Sequence, residues 1–403
     1  MAVKADVLLR GASYVVTMAN GPYRRVTEDN AGIIERGAIA WREGRIVWVG
    51  PEPDSHVVRA REEVNVGGRL VTPGFVDSHT HLVFAGERFW ELWMKLEGKS
   101  YLEILEAGGG IYYTVRKTRE ASVEELAEAA VNRLYTMRRY GAGLVEAKTG
   151  YGLLPEHEEK ILLAARMAEK RVRGVELVHT VLAHVVPEEY AGRREEYIEL
   201  FSNEIIPMAA RLGARFVDVF CDKGAFTVEE TRRIIEAGLR NGLKPRLHSD
   251  ELANIGCHKL AFEYEIYSLD HLEHLPPAAA RELGRTRTVA TLLPTSMLSV
   301  FSEKKPPVDD LRRGGAIIGV ATDFNPNNMT PSMKHAFELA VYLYKLTPLE
   351  ALAATTVNAA YSLDARGYGT ISEGAPARLV VWDFSHYKRL AYEWGVDNIY
   401  AVY

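Results

Sequence analysis

The sequence predicts an α/β fold, a (β/α)8 TIM-like barrel with a small β-sandwich domain formed by both chain ends. Three observations lead to this prediction. Eight apolar, strand-like runs occur in the middle of the chain, helix-like segments separate them, and shorter β-type runs occupy both ends. Eight such repeats over about 290 residues have the size and rhythm of a closed parallel barrel.

The eight runs share a strand-like apolar character, and each ends on polar or chemically useful residues. In chain order they read LVTPGFVDSHTH, GLVEAKTGYG, VELVHTVLAHVVP, RFVDVFCDKG, KPRLHSDE, YSLDHLEH, TVATLLPTS and AIIGVATDFN. A helix-like segment follows each of the first seven, and residues 331–333 open another after the eighth. Barrel enzymes gather their active sites at the C-terminal ends of the strands, so these polar endings are the first candidates for function.

Several helices of this middle region have a clear start signal. In a capping box, a hydroxyl residue precedes a glutamate by three positions, and each side chain satisfies a backbone N–H group of the other. The spacing occurs at Ser122 with Glu125, Thr227 with Glu230, and Thr347 with Glu350. We expect a helix to begin at each of these three places.

The two chain ends have a different character from the middle. Short β-type runs at 6–9, 38–41, 45–50 and 377–383 lie among glycine, asparagine, aspartate and proline residues. We therefore expect residues 1–68 and 363–403 to form the two parts of one composite β domain. Residues 69–362 are then the barrel.

The composition is that of an ordinary soluble globular protein, with 403 residues of which 47% are hydrophobic and 26% charged. The net charge of −5 is spread over mixed acidic and basic residues. This pattern argues against nucleic acid and membranes as partners, and no apolar run approaches membrane-spanning length. We expect a small-molecule substrate, a cytoplasmic location and a homodimeric assembly.

The cysteine content is low. Cys221 and Cys257 are the only two cysteines and lie far apart in the sequence. The sequence therefore indicates neither a disulfide framework nor a cysteine-based zinc site, and a reducing cytosol is expected.

His79 and His81 stand two positions apart at the end of the first run. Side chains in a strand alternate between faces, so the two imidazoles project to the same side, where they could chelate a metal. For a pair of histidines alone, a purely structural role as polar residues at the mouth of a sheet is the more common explanation. The residues at the ends of the other runs decide between a metal site and a purely structural role.

If the eight run ends converge, they bring an unusual set of side chains around one mouth. The set contains His79, His81, Lys148, Tyr151, His184, His248, Glu251, His271 and Asp323. Each one has an ordinary structural explanation, because buried histidines commonly find hydrogen-bond partners. A mouth that holds five histidines together with carboxylates, however, needs a positive centre to be stable.

A natural ligand set is the His79/His81 pair, His248 from the fifth run and Asp323 from the eighth. A divalent metal held there would activate a water molecule and polarise a carbonyl group. Glu251 follows His248 by three residues and is the expected proton shuttle. His271 is expected to hydrogen-bond the developing oxyanion or the nucleophile.

The segments VDSHTH, HSDE, DHLEH and ATDFNP, on a barrel flanked by a split β domain, resemble those of the amidohydrolase superfamily. Within it, longer blocks resemble the imidazolonepropionase family, from the first strand to the closing LAYEWGV. These blocks are VFAGERFWELWMKLEGKSYLEILEAGGGI, VEAKTGYGL, LAHVVPEEYAGR and VDVFCDKGAFTVEE. The HxH motif marks only the superfamily, whereas the long blocks are specific.

The resemblance implies a function and a set of site residues. The implied reaction adds water across the cyclic amide of an imidazolone ring and yields N-formiminoglutamate, with one zinc or iron ion as cofactor. It implies His79, His81, His248 and Asp323 as metal ligands, Glu251 and His271 as the acid/base pair, and Arg88, Tyr151 and His184 as substrate contacts. The planar guanidinium of Arg88 suits the propionate tail of such a substrate.

The pattern departs from this family after the DFNP segment. Asn327-Asn328-Met329-Thr330 stands where the family carries a glycine and a hydroxyl residue that help to hold the substrate carboxylate. Asn325 is retained, and Asn328 offers amide donors, so both are expected to contribute to binding.

Two other functions fit parts of this pattern. A deaminase, or a hydrolase of another cyclic amide, would use the same metal centre without needing Arg88. A non-catalytic barrel would have lost some of the ligands, whereas all four and both proton-transfer candidates are present.

Overall fold

A computed structural model describes residues 2–403 of the chain. Seventeen strands follow one another within residues 2–403. They are β1 (Val3–Arg10), β2 (Tyr14–Val16), β3 (Ile33–Glu35), β4 (Gly37–Arg42), β5 (Arg45–Pro51), β6 (Val58–Asn65), β7 (Leu70–Pro73), β8 (Phe75–Asp77), β9 (Ala142–Lys148), β10 (Glu176–Ala183), β11 (Phe216–Cys221), β12 (Lys244–Ser249), β13 (Ser268–His271), β14 (Val289–Leu292), β15 (Ile317–Val320), β16 (Leu379–Trp382) and β17 (Ile399–Val402).

Strands β8 to β15 form one eight-stranded sheet in sequence order, and every pair of neighbours is parallel. A bridge between Thr80 and Phe324, just beyond β8 and β15, brings the two edges of this sheet together. The predicted barrel is thus confirmed, and its eight strands fall within the eight runs except that β9 begins at Ala142, one residue before its run.

Both chain ends contribute to two further sheets. A four-stranded sheet has the order β5-β4-β1-β6, and a five-stranded sheet has the order β17-β16-β7-β2-β3. Leu9 and Ile39 of the first sheet share one apolar core with Val71 and Val381 of the second. The packed pair forms the predicted β-sandwich.

The run from Leu70 to Asp77, predicted as one barrel strand, is divided between the two parts of the molecule. β7 pairs with β2 and β16 of the sandwich, whereas β8 pairs with β9 of the barrel. Gly74 separates them, and its N–H group donates to the carbonyl of Arg378 at 2.7 Å. A Cβ at this position would lie 3.2 Å from the Cβ of Arg378, so the close approach favours glycine.

Fourteen α-helices are found in the described chain, most of them on the outside of the barrel. They are α1 (Phe89–Leu96), α2 (Tyr101–Glu106), α3 (Ile111–Glu120), α4 (Val123–Arg139), α5 (Pro155–Arg171), α6 (Arg194–Leu200), α7 (Ile206–Arg211), α8 (Val228–Arg240), α9 (Pro277–Glu282), α10 (Pro294–Ser299), α11 (Val308–Gly314), α12 (Met333–Tyr344), α13 (Pro348–Ala354) and α14 (Val357–Ser362).

The three predicted capping boxes are confirmed at the starts of α4, α8 and α13. After β12 the expected helix is only a 3-10 segment, Cys257–Phe262. None of the helices within residues 2–403 combines the length and the apolar character that crossing a membrane requires.

The cysteines correct an expectation from the sequence. Cys221 at the end of β11 and Cys257 after β12 form a disulfide with a Cα–Cα distance of 5.9 Å, across a separation of 36 residues. Distance along the chain did not prevent pairing, because adjacent parallel strands bring the loops that follow them to the same edge of the sheet. The bond joins two successive loops at the barrel mouth.

We expect this disulfide to be present in protein purified without reductant. Such protein, once denatured, should show no reactive thiol, and prior reduction should expose two. Replacing both cysteines by serine should lower the free energy of unfolding in urea by about 2–4 kcal/mol, because the cross-link restricts the unfolded chain. Two free thiols in the untreated, denatured chain would contradict the assignment.

Candidate metal centre and active site

The mouth of the barrel brings together three histidines that the sequence placed on two separate strand ends. The ring nitrogens of His79, His81 and His248 that could serve as ligands lie within 4.8 Å of one another. All three residues are buried. Three imidazoles at this spacing could hold a metal ion.

Local hydrogen bonding prepares His79 for a metal. Its Nδ1 donates to Asp270 Oδ2 at 2.7 Å, which leaves Nε2 with a free lone pair. This Nε2 is buried and has no hydrogen-bond partner. A buried nitrogen of this kind is costly unless a ligand satisfies it, so the site fits a metal ion.

Burial and the neighbouring charges keep the imidazoles of His79 and His81 neutral. Burial, reinforced by the nearby Lys148 and the other histidines, lowers the pKa of His79 well below its ordinary value. Burial and the neighbouring His184 and His248 lower the pKa of His81 in the same direction. A neutral imidazole is the form that coordinates a metal.

Asp323 faces the same space from the end of the eighth strand. Its Oδ1 lies 3.5 Å from the Nε2 atoms of both His79 and His81. Its φ of +50° is a rare backbone conformation for a residue other than glycine, and it turns the carboxylate into the mouth. Burial raises the pKa of Asp323 to about 6, although the hydrogen bond from Ser296 opposes the shift.

Glu251 and His271 lie next to each other beside the histidines. Glu251 Oε2 is 3.5 Å from His271 Nε2, and the Glu251 side chain is 19% exposed. Burial, with the charge of Glu273 next in importance, raises the pKa of Glu251 well above its ordinary value. The Asp222 carboxylate accepts N–H groups from residues 251, 252 and 253 and so fixes the loop that carries Glu251.

Glu273 is an acidic group at this mouth that sequence reasoning did not single out, although it lies in the DHLEH segment. Both of its carboxylate oxygens are buried without a hydrogen-bond partner, and one lies 3.9 Å from His271 Nδ1. Burial raises its pKa to about 8.

Tyr151 and His184 line the same side of the site as His81. The ring centroids of His81 and His184 are 5.2 Å apart in a stacked arrangement, and Tyr151 lies 5.6 Å from His81. His184 Nδ1 donates to the carbonyl of Gly150 at 3.1 Å, so its Nε2 is left for another partner. Burial lowers the pKa of His184 to about 3.

Arg88 immediately precedes α1, in the loop that follows the first barrel strand. Its side chain is only 10% exposed, and its Nε lies 3.7 Å from Glu91 Oε1. The charge of Arg88 counteracts the rise that burial causes in the pKa of Tyr151. The guanidinium therefore lies close to the mouth. Glu91, in α1, also accepts the Gly110 N–H group at 2.6 Å and so connects the Gly108-Gly109-Gly110 segment to this helix.

The two asparagines expected to bind substrate hold their own loop together. The Asn328 side-chain amide donates to the carbonyls of Thr322 at 2.8 Å and Asp323 at 3.0 Å. Asn325 donates to the Asp323 carbonyl at 2.9 Å and accepts two N–H groups of the following turn. Asn328 commits both amide hydrogens within the loop, so it could donate to a substrate, as expected from the sequence, only if one of these bonds broke.

Lys148, which the sequence placed at the mouth, lies in the barrel interior instead. Its Nζ contacts Asp218 at 2.5 Å and Glu146 at 2.9 Å, and its side chain is completely buried. The sequence did contain a signal for this polar interior. Charged residues stand inside otherwise apolar strands in VEAK, FVDV, PRLH and SLDH, and alternation sends them inward.

The sequence as a whole can also be compared with known proteins. The model of the family described as "Amidohydrolase family" matches residues 70–403. An imidazolonepropionase of Pyrobaculum arsenaticum is 44% identical over 399 residues, covering 98% of this chain and 97% of the relative. An imidazolonepropionase of Myxococcus xanthus is 42% identical over 403 residues, covering 98% and 95%.

Solved structures share the fold at low identity. An atrazine chlorohydrolase from Arthrobacter aurescens TC1, complexed with zinc, superposes with a TM-score of 0.71 at 15% identity, covering 98% of this chain and 93% of that one. An adenosine deaminase from Xanthomonas campestris, with bound zinc, gives a TM-score of 0.65 at 18% identity, covering 100% and 92%.

The barrel, the histidine cluster at its mouth and the match over most of the sequence agree with one another. This chain belongs to the amidohydrolase family, together with the imidazolonepropionases that it resembles over nearly its full length.

Proposed function

We propose that this chain is a metal-dependent hydrolase that opens the ring of 4-imidazolone-5-propanoate to give N-formimino-L-glutamate, a step of histidine degradation. The observation that carries the proposal is the full-length similarity to imidazolonepropionases, for example at 44% identity over 98% of this chain. The geometry of the mouth supports it, because the site offers metal ligands, a proton-transfer pair and a buried guanidinium in one place.

The proposed ligands of one zinc or iron ion are His79, His81, His248 and Asp323. Three imidazoles and a single carboxylate are a common donor set for such ions. When bound, the ion would polarise the amide carbonyl of the substrate and lower the pKa of a water molecule.

The reaction joins the oxygen of water to the amide carbonyl carbon and breaks the bond between this carbon and the ring nitrogen. One proton must pass from the water to the departing nitrogen. Glu251 is the proposed carrier, because its raised pKa is in the direction that a group exchanging protons near neutral pH requires. His271, 3.5 Å from Glu251, would hydrogen-bond the oxygen atom that develops negative charge.

Substrate recognition is proposed to depend on Arg88, Tyr151 and His184. Arg88 would pair with the propionate tail, while Tyr151 and His184 would contact the ring beside His81. Asn325 and Asn328 would act mainly by keeping Asp323 in place, since their side chains bond the backbone of that loop. A homodimeric assembly, a cytoplasmic location and the domain boundary at 362/363 stay predictions from the sequence. The boundary predicted at 68/69 does not coincide with the change of sheet, because β7 (Leu70–Pro73) still pairs within the sandwich.

The direct test of the function is an assay of the purified, metal-loaded protein. Imidazolone propionate absorbs in the ultraviolet, so its loss can be followed continuously, and the product can be identified as N-formiminoglutamate. We expect turnover that disappears on chelation and returns with zinc or iron. Deamination of a nucleobase without hydrolysis of the imidazolone would instead support the deaminase-like alternative.

Glu251→Gln should bind metal and substrate normally but turn over about 10²–10⁴-fold more slowly, because the amide cannot carry the proton. The measurement is kcat together with metal content. Glu188→Gln, an exposed glutamate in a surface turn, is a matched control and should behave as wild type. Near-normal kcat in Glu251→Gln would assign the proton transfer to another group.

Arg88→Met should raise KM for imidazolone propionate by about one to two decades, because a bidentate carboxylate contact is lost. The comparison substrate is the uncharged amide of the propionate. Wild type should prefer the acid to the amide, and the variant should lose this preference. Equal discrimination by both proteins would show that Arg88 does not read the carboxylate.

A further inference from the structure

Five charged side chains fill the barrel interior beside the proposed metal ligands, and none of them takes part in the proposed chemistry. We call them the interior charge cluster: Glu146, Lys148, Asp218, Arg246 and Asp270. Strands β9, β11, β12 and β13 supply them, and all five are buried. Barrel interiors are usually filled by branched apolar residues, so a charged interior calls for a function.

Lys148 is the centre of the interior charge cluster. Its ammonium group lies 2.5 Å from Asp218 Oδ2, 2.9 Å from Glu146 Oε2 and 3.8 Å from Asp270 Oδ2. Burial would lower the pKa of Lys148, but the carboxylates of Asp218 and Glu146 outweigh this effect and raise it. The ammonium group is therefore charged and holds three carboxylates around itself.

Arg246 is the second cation of the interior charge cluster. Its Nε is 3.1 Å from Glu146 Oε1, and its Nη2 is 3.4 Å from Asp270 Oδ2. Nη2 also donates to the Ser78 carbonyl at 2.8 Å, one residue before His79. This guanidinium ties the cluster to the backbone that presents the first ligand.

Two of the three carboxylates reach beyond the cluster to proposed metal ligands. Asp270 Oδ2 accepts from His79 Nδ1 at 2.7 Å, and Asp218 Oδ2 lies 3.1 Å from His248 Nδ1. A carboxylate behind a ligating histidine fixes the tautomer and the orientation of the ring and makes it a stronger ligand. The same oxygen atoms face Lys148, so one ammonium group contacts both of these carboxylates.

The charges of the cluster also suit a divalent ion. Two cations oppose three carboxylates, which leaves one net negative charge, and Asp323 adds a second. Buried charge is costly unless it is compensated. A divalent cation at the proposed site would neutralise the interior charge cluster taken together with Asp323.

We propose that Lys148 is a positioning residue of the metal site. It holds Asp218 and Asp270 in place and, through them, orients the His248 and His79 imidazoles toward the ion. The proposal rests on the metal site of the proposed function and extends it to a group that contacts neither metal nor substrate.

The test is the zinc affinity of folded Lys148→Met, measured by competition with a chromophoric chelator and compared with wild type. Loss of a group behind metal ligands typically weakens metal affinity about 10–100-fold, and we expect a change of this size. The matched control is Lys334→Met. Lys334 is also a buried lysine in an ion pair, with Glu338 of α12, and its loss should leave zinc affinity unchanged.

A double-mutant comparison separates positioning from general destabilisation. If Lys148 acts through Asp218, the zinc-affinity losses of Lys148→Met and Asp218→Asn should not add up in the double variant. If Lys148→Met does not fold, the isosteric variants Asp218→Asn and Asp270→Asn replace it, each with an expected loss of about tenfold or more.

The possible results distinguish a failure of the role proposed for the interior charge cluster from a failure of the proposed metal site. Zinc affinity equal to wild type in folded Lys148→Met, or in both asparagine variants, would overturn the role of the cluster. An equal loss in Lys334→Met would also overturn it, because the effect would then follow from destabilisation alone. Wild-type protein that binds no zinc or iron would overturn the proposed metal site itself.

Discussion

The site depends on how the barrel closes between its first and last strands. Beyond β8 and β15, the His81 N–H group donates to the Phe324 carbonyl at 2.8 Å, and the Asp323 N–H group donates to the His79 carbonyl at 3.0 Å. These two backbone hydrogen bonds place three of the four proposed ligands next to one another. Any change that broke these hydrogen bonds between the first and last strands would separate the ligands, even if the ligand residues themselves were unchanged.

The polar interior of the barrel is related to the ligand cluster that forms where the first and last barrel strands meet. Imidazoles and a carboxylate brought together in a buried mouth need both a cation and oriented partners, and the interior charge cluster provides carboxylates behind His79 and His248. Such a core contributes less stability than a packed apolar one would, because charged groups lose their hydration on burial. We infer that the interior charge cluster lowers the stability of the barrel but preorganises the site, while the rest of the core stays apolar.

The sequence predicted the elements that depend on local pattern. The eight strands and the capping boxes of α4, α8 and α13 were predictable, because apolar runs and cap spacing are local signals. The Cys221–Cys257 disulfide and the division of the first run at Gly74 were not, because each depends on contacts between residues far apart in the chain, which a local pattern does not contain. The interior position of Lys148 was missed even though strand alternation in the VEAK segment indicated it.

We propose that one metal ion occupies the mouth, and its position can be measured directly. Crystals of the zinc-loaded protein, with diffraction data collected on both sides of the zinc absorption edge, would locate the ion by its anomalous signal. We predict a single peak about 2.0–2.2 Å from ring nitrogens of His79, His81 and His248 and from an oxygen of Asp323. An anomalous peak beside other residues, or a second zinc ion in the mouth, would contradict the proposed single metal site.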